Sequence, residues 1–193
     1  MAAVTLLDHQ ERWSSGRWDN ASTDTTVWHS RDGLSGAIPS SYDHLLIIGS
    51  IRGEAANSYW NNLWIRVGNG SLSTGAYYSS TYLTNVNQGA PITGRATGQT
   101  KWAYQYSGAN QILGDTFSTL KIWIPNYSTT GGFKQALIQT AVVNDDTSNS
   151  HSNLTLTSGL WHSTSVITDV AVSEPNDGFN TYTDFSLYGI TGA

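Results

Sequence analysis

The feature that most constrains this chain is a period of two. In Asn62-Leu-Trp-Ile-Arg-Val67, Leu63, Ile65 and Val67 fall on one side and Trp64 and Arg66 on the other, as alternate residues of a β-strand do. Thr119-Leu-Lys-Ile-Trp-Ile124 repeats the pattern, with Leu120, Ile122 and Ile124 opposite Lys121 and Trp123. In Asp184-Phe-Ser-Leu-Tyr-Gly-Ile190, Phe185 and Leu187 oppose Ser186 and Tyr188. Leu45-Leu-Ile-Ile48 and Ala141-Val-Val143 are unbroken apolar runs and read as central strands covered on both faces. Val166 to Val172 is rich in β-branched residues and reads as a further strand. Turn residues punctuate these runs at Gly68-Asn-Gly70, Gly131-Gly132, Asn144-Asp-Asp146 and Asn176-Asp-Gly178. The best helix candidate, Phe133 to Val143, follows two glycines and ends in Thr-Ala-Val-Val, which favours a strand there as well. The expected fold is all-β: an antiparallel β-sandwich, jelly-roll-like, in a single domain.

Composition narrows the function classes. Charged residues are 12% of the 193, against about 25% in an average domain. Eight Trp and ten Tyr are too many for a solvated coil. The net charge is −5, and nine scattered Lys and Arg offer no phosphate-binding stripe, so no nucleic-acid partner is expected. No apolar run is long enough for a transmembrane helix, and Met1 to Asp8 lacks the basic and apolar regions of a secretory signal. There is no Cys, so no disulfide staples the fold. Synthesis and assembly in a reducing cytoplasm fit these features. Residues 1–30 differ from the rest: Trp13, Trp18 and Trp28 stand among polar residues, with Arg12 and Arg17 nearby. This segment reads either as an arm ordered against a partner or as an opening strand and loop. Residues 31–193 read as the sandwich itself.

No chemistry announces itself. The acids fall mostly in turn contexts, Asp145, Asp146 and Asp177 among them, and spacing derives no pair of the kind a glycosidase needs from Glu54, Glu174 or Glu11. The five His show no metal-ligand spacing. Asn144 to Asn149 is rich in oxygen ligands, but a polar turn is the simpler reading. No catalytic residue, metal or cofactor is expected. The aromatics are more informative. Trp102, Tyr104 and Tyr106 alternate and are expected on one face, as a sugar platform, a protein hot spot or inter-sheet filling. Trp60 and Tyr78 are candidates for exposed binding aromatics.

Several blocks resemble a family of bacteriophage virion structural proteins. Gly159-Leu-Trp-His-Ser-Thr-Ser-Val-Ile-Thr-Asp-Val170 followed by Phe185-Ser-Leu-Tyr-Gly-Ile190 is similar to that family's closing pattern, which ends in Leu-Tyr-Gly-Ile. Ile38-Pro-Ser-Ser-Tyr-Asp-His-Leu-Leu-Ile-Ile48 with Arg52, Leu63 to Gly70 with Tyr77-Tyr78, and Ile122-Trp-Ile-Pro-Asn-Tyr127 resemble three earlier blocks, in order. The resemblance spans roughly residues 35–190. It implies a jelly-roll-like sandwich without catalytic groups, on a phage head or tail. The chain begins at Met1 and holds little besides the domain, so the expectation is a capsid decoration (cement) protein, located on the virion. Its expected partners are the major capsid protein and other copies of itself, a trimer first. The alternative is a tail-associated receptor- or carbohydrate-binding module. The residues expected at a partner are Trp13, Trp18, Trp28, Arg12, Arg17 and Trp60.

Overall fold

The computed structural model describes residues 3–11, 25–28, 38–54, 59–86, 89–109, 116–142, 152–174 and 178–192. All elements among them are strands, joined into two antiparallel sheets. In the large sheet lie β1 (Ala3–Glu11), β3 (His44–Ile51), β5 (Tyr78–Val86), β6 (Ile92–Gln99), β8 (Ser118–Ile124), β9 (Lys134–Val142), β10 (Asn153–Trp161) and β12 (Asp184–Thr191). In the small sheet lie β2 (Thr25–Trp28), β4 (Trp60–Gly68), β7 (Trp102–Gly108) and β11 (Asp169–Ser173). The chain is a β-sandwich, as the alternation requires.

The strand orders are β1-β12-β3-β8-β9-β10-β5-β6 and β2-β11-β4-β7. With β5, β6, β9 and β10 set aside, the pairs β1·β12, β2·β11, β3·β8 and β4·β7 are nested, like the rungs of one long hairpin rolled up. That nesting, alternating between two sheets, is the jelly-roll arrangement. The four other strands extend the large sheet past β8. Both described stretches of the first thirty residues pair with strands of the 31–193 region, β1 with β12 and β2 with β11.

The core sits where the two sheets face each other. Leu45, Ile47 and Ile51 of β3, Leu63, Ile65 and Val67 of β4, Leu120, Ile122 and Ile124 of β8, and Phe185 and Leu187 of β12 all point into it. The alternations read for β4, β8 and β12 therefore hold. Two expectations need correction. Leu45 to Ile48 forms a central strand, but it is not covered on both faces: Leu45 and Ile47 are buried while Ile48 is 42% exposed. The strand buried throughout is β11, which begins at Asp169 rather than Val166.

The residues that carry the resemblance meet at one end of the sandwich. The Tyr127 hydroxyl donates to the Pro39 carbonyl. The Ile167 N–H donates to the Tyr127 carbonyl at 3.1 Å, and the Thr168 N–H to the Gly68 carbonyl at 2.9 Å. The Asn69 amide donates to the Val166 carbonyl at 2.9 Å. The glycine of Leu-Tyr-Gly-Ile has its reason here: a Cβ on Gly189 would lie 2.5 Å from the ring of Tyr42. These blocks are packing residues, and packing speaks for fold rather than for function.

Candidate functional site

The two faces of the large sheet show where this protein departs from an ordinary sandwich. Along β10, Leu154 is 63% exposed, Thr155 1%, Leu156 39% and Thr157 0%. Leucines point to solvent and threonines point in. In β5 Ser80 and Thr84 are buried while Leu83 is exposed, and in β9 Thr140 is buried while Leu137 is exposed. The inner polar groups satisfy each other in part. Thr84 Oγ1 and Thr155 Oγ1 lie 2.8 Å apart, and both donate to Asn153 Oδ1, at 3.3 and 2.9 Å. The hydroxyls of Thr140 and Thr157 and the Asn153 Nδ2 are buried without a hydrogen-bond partner, an arrangement that costs about 1–3 kcal/mol per group. Strand β7 lies across this polar layer and contributes Gln105 and Ser107, both buried.

The outer face therefore carries an apolar band. Cross-strand register lines up Leu6, Tyr188, Leu46, Trp123 and Leu137 across β1, β12, β3, β8 and β9. Val4, Ile48, Leu83, Leu154 and Leu156 add exposed aliphatic area. Near one end of β10 a groove of about 580 Å³ opens between β8 and β5, lined by Leu83, Pro91, Lys121, Ala141, Leu154 and Leu156. Neither end of this face contains an aromatic stripe of the expected kind.

That stripe does not exist as read. Leu63 pairs with Gln105 but Ile65 pairs with Trp102, so β7 holds one extra residue between them. The bulge reverses the alternation: Trp102, Gln105 and Ser107 face in, and Tyr106 is on the other side, half-buried. Trp102 belongs to the core, packed edge-on to Tyr78 at 5.7 Å and set against Gly159, where a Cβ would come within 2.6 Å of the indole. The Tyr104 side chain lies outside the described residues.

Tyr78 is likewise no exposed platform. It is fully buried, accepts from the Val67 N–H at 2.9 Å and donates to the Val67 carbonyl at 2.7 Å. Burial pushes its phenol up to about 12, and burial does the same to Tyr127. Trp60 is half-buried and shares an outward face of β4 with Trp64 and Arg66. The Trp64 ring has the Arg66 guanidinium at 4.7 Å and the Lys101 ammonium at 4.3 Å. Burial and the Arg66 charge lower the Lys101 pKa. Trp13, Trp18, Arg12 and Arg17 lie outside the described residues, and only the backbone of Trp28 is described, paired with Val170. The Asn144–Asn149 loop also lies outside them.

Glu174 is buried and accepts from Asn61 Nδ2 at 2.9 Å and from the Ser107 hydroxyl. Gly53 lies against it, for a Cβ there would fall 2.3 Å from a carboxylate oxygen. Among the described residues no three His, Asp or Glu side chains gather as a metal site requires.

No family model matches the chain, and no curated protein or solved structure matches it either.

Proposed function

We propose that this chain is a capsid decoration protein of a bacteriophage particle, and that it docks on the shell through the outer face of its large sheet. The inverted polarity of β10 carries this reading. Register is ordinarily set by which face is apolar, and a slip of one residue exchanges the faces. Here the leucine face is the outer one, and leaving a leucine in water forgoes about 1.5–3 kcal/mol. A protein partner on that face recovers the loss.

The dimensions suit such a contact. Eight strands at about 4.8 Å spacing, with about eight residues each at about 3.3 Å, give a face of roughly 1,000 Å². A stable interface takes about 800 Å² from each partner. Among the described residues charges are few on this face: Arg95 stands on the edge strand β6, and Lys121 stands in the middle of β8, where it lines the groove beside the leucines. Binding stabilises the shell by mass action, since the decorated state is the one the ligand favours. The motif series ending in Phe185 to Ile190 supports the phage context.

The test is co-sedimentation of purified protein with undecorated phage heads. Wild type is expected to saturate the heads at hundreds of copies per particle. Leu154→Ser with Leu156→Ser is expected to weaken binding on the order of 100-fold. Full binding by the double variant would remove the face from the reading, and absence of wild-type binding to heads would remove the reading itself. A few copies per particle, all on tails, would favour the tail-associated alternative.

A further inference from the structure

At the opposite end of the same outer face the surface changes character. Phe133, His162 and Tyr77 stand side by side at the ends of β9, β10 and β5. The Phe133 and His162 rings stack at 5.5 Å and 23°, and the His162 N–H donates to the Tyr77 carbonyl at 2.8 Å. The next row in register is Gln135, Leu160 and Ser79, with Ser79 Oγ 3.1 Å from His162 Nε2. The row after that carries Ser158, Thr81 and Arg95. Between these rows lies a groove of about 300 Å³.

We infer that this groove is a saccharide-binding site. A pyranose offers two things to a protein: hydroxyls that both donate and accept, and a patch of ring C–H. The groove supplies a partner for each. Ser79, Thr81 and Ser158 are hydroxyls, Gln135 is an amide with donor and acceptor on one plane, and Arg95 is a fork of donors. Leu160 gives the floor an aliphatic spot. Phe133 is 54% exposed, with His162 stacked on it, so an aromatic surface stands open beside the polar wall. A peptide would want an apolar pocket for an anchor, and this lining has none apart from Leu160.

The rows are held in place from beneath. Lys134 is buried, and its ammonium donates to the Gly132 carbonyl at 2.8 Å and the Thr164 carbonyl at 3.2 Å. It clamps the segments that carry Phe133 and His162. Among the described residues the lining holds no carboxylate, so none of them is placed to protonate a glycosidic oxygen. The inference does not rest on shell binding: the groove lies on the polar end of the face, apart from Leu154 and Leu156.

The full chain is to be tested on an array of neutral hexose and hexosamine oligosaccharides and of carboxylated ones, with the strongest hit measured by calorimetry. A discrete set of oligosaccharides is expected to bind. Phe133→Ala, Gln135→Ala and Arg95→Ala are each expected to weaken the hit roughly 10-fold, from the loss of one stack or one hydrogen-bonding partner. All three side chains are exposed, so circular dichroism is expected to be unchanged. Leu154→Ser with Leu156→Ser is expected to bind the same oligosaccharide as wild type. An empty array overturns the inference, as does binding that survives all three groove substitutions. Loss of head binding with intact saccharide binding would leave the inference standing and refute only the shell reading.

Discussion

Two parts of one sheet, β12-β3-β8 and β10-β5, follow the same period and opposite polarity. In β12, β3 and β8 the inward residues are Phe185, Leu187, Leu45, Ile47, Leu120 and Ile122, and these strands belong to the nested jelly-roll pairs. In β10 and β5 the inward layer includes Asn153, Thr155, Thr157, Ser80 and Thr84, while leucines stand outside; β9 keeps the ordinary sign, with Ala136, Ile138 and Val142 buried beside Thr140. The first half faces an aliphatic small sheet and is held by hydrophobic burial. The second meets the polar side of β7, where the bulge has turned Gln105 and Ser107 inward. Polar inner strands and a polar cover go together, and the leucines are what remains for the outside. The difference teaches that the hairpin half (β9, β10, β5 and β6) leaves leucines in water at some expense in its own packing.

The comparison breaks most sharply on truncation of matched positions. Phe185→Ala in the jelly-roll half is expected to lower stability by about 3–5 kcal/mol, and Leu156→Ala in the hairpin half by less than about 0.5 kcal/mol. Urea denaturation of the two variants checks both. Similar losses would mean that the outer leucines are covered within the monomer.

Next comes pH. The buried Tyr78 phenol is raised from 10.0 to about 12, so the unfolded chain loses this proton first. The stability it contributes is fully present below about pH 10 and is lost as pH rises toward 12, by roughly 3 kcal/mol over the window. Denaturation at stepped pH is expected to show this slope in wild type and a flatter one in Tyr78→Phe.

Gly159→Ala probes the contact between β10 and the small sheet, since its Cβ would meet the Trp102 indole of β7. A loss of about 1–3 kcal/mol is expected from overpacking, read as a lowered Tm. The last effect has the opposite sign. Thr157→Val removes a buried hydroxyl that has no partner, at constant shape, and is expected to raise stability by about 1 kcal/mol. A loss instead would show that the hydroxyl is satisfied and that the polar layer is worth more than its geometry indicates.

Much of the fold was legible. The strands at Asn62 to Val67, Thr119 to Ile124 and Asp184 to Ile190, and the strand in place of a helix after Gly131-Gly132, follow from spacing and turn chemistry. The candidate site was not. Leu45 to Ile48 reads as a strand covered twice because an unbroken apolar run looks the same whether its second face is buried in the chain or open to a partner. The Trp102–Tyr106 stripe fails on one inserted residue, which becomes visible only against the partner strand. Tyr77, Phe133 and His162 are separated by 56 and then 29 residues in sequence, and no local pattern links them.

What the sequence alone determined is the period: alternation, turn residues and a lack of charge are local properties, and they suffice for an antiparallel sandwich. What the tertiary structure decided is the sign. A period of two is symmetric under exchange of faces, so Asn153-Leu-Thr-Leu-Thr157 is equally good with leucine in or leucine out. Only the neighbours that a strand finds, here the polar side of β7 across one face, choose between them.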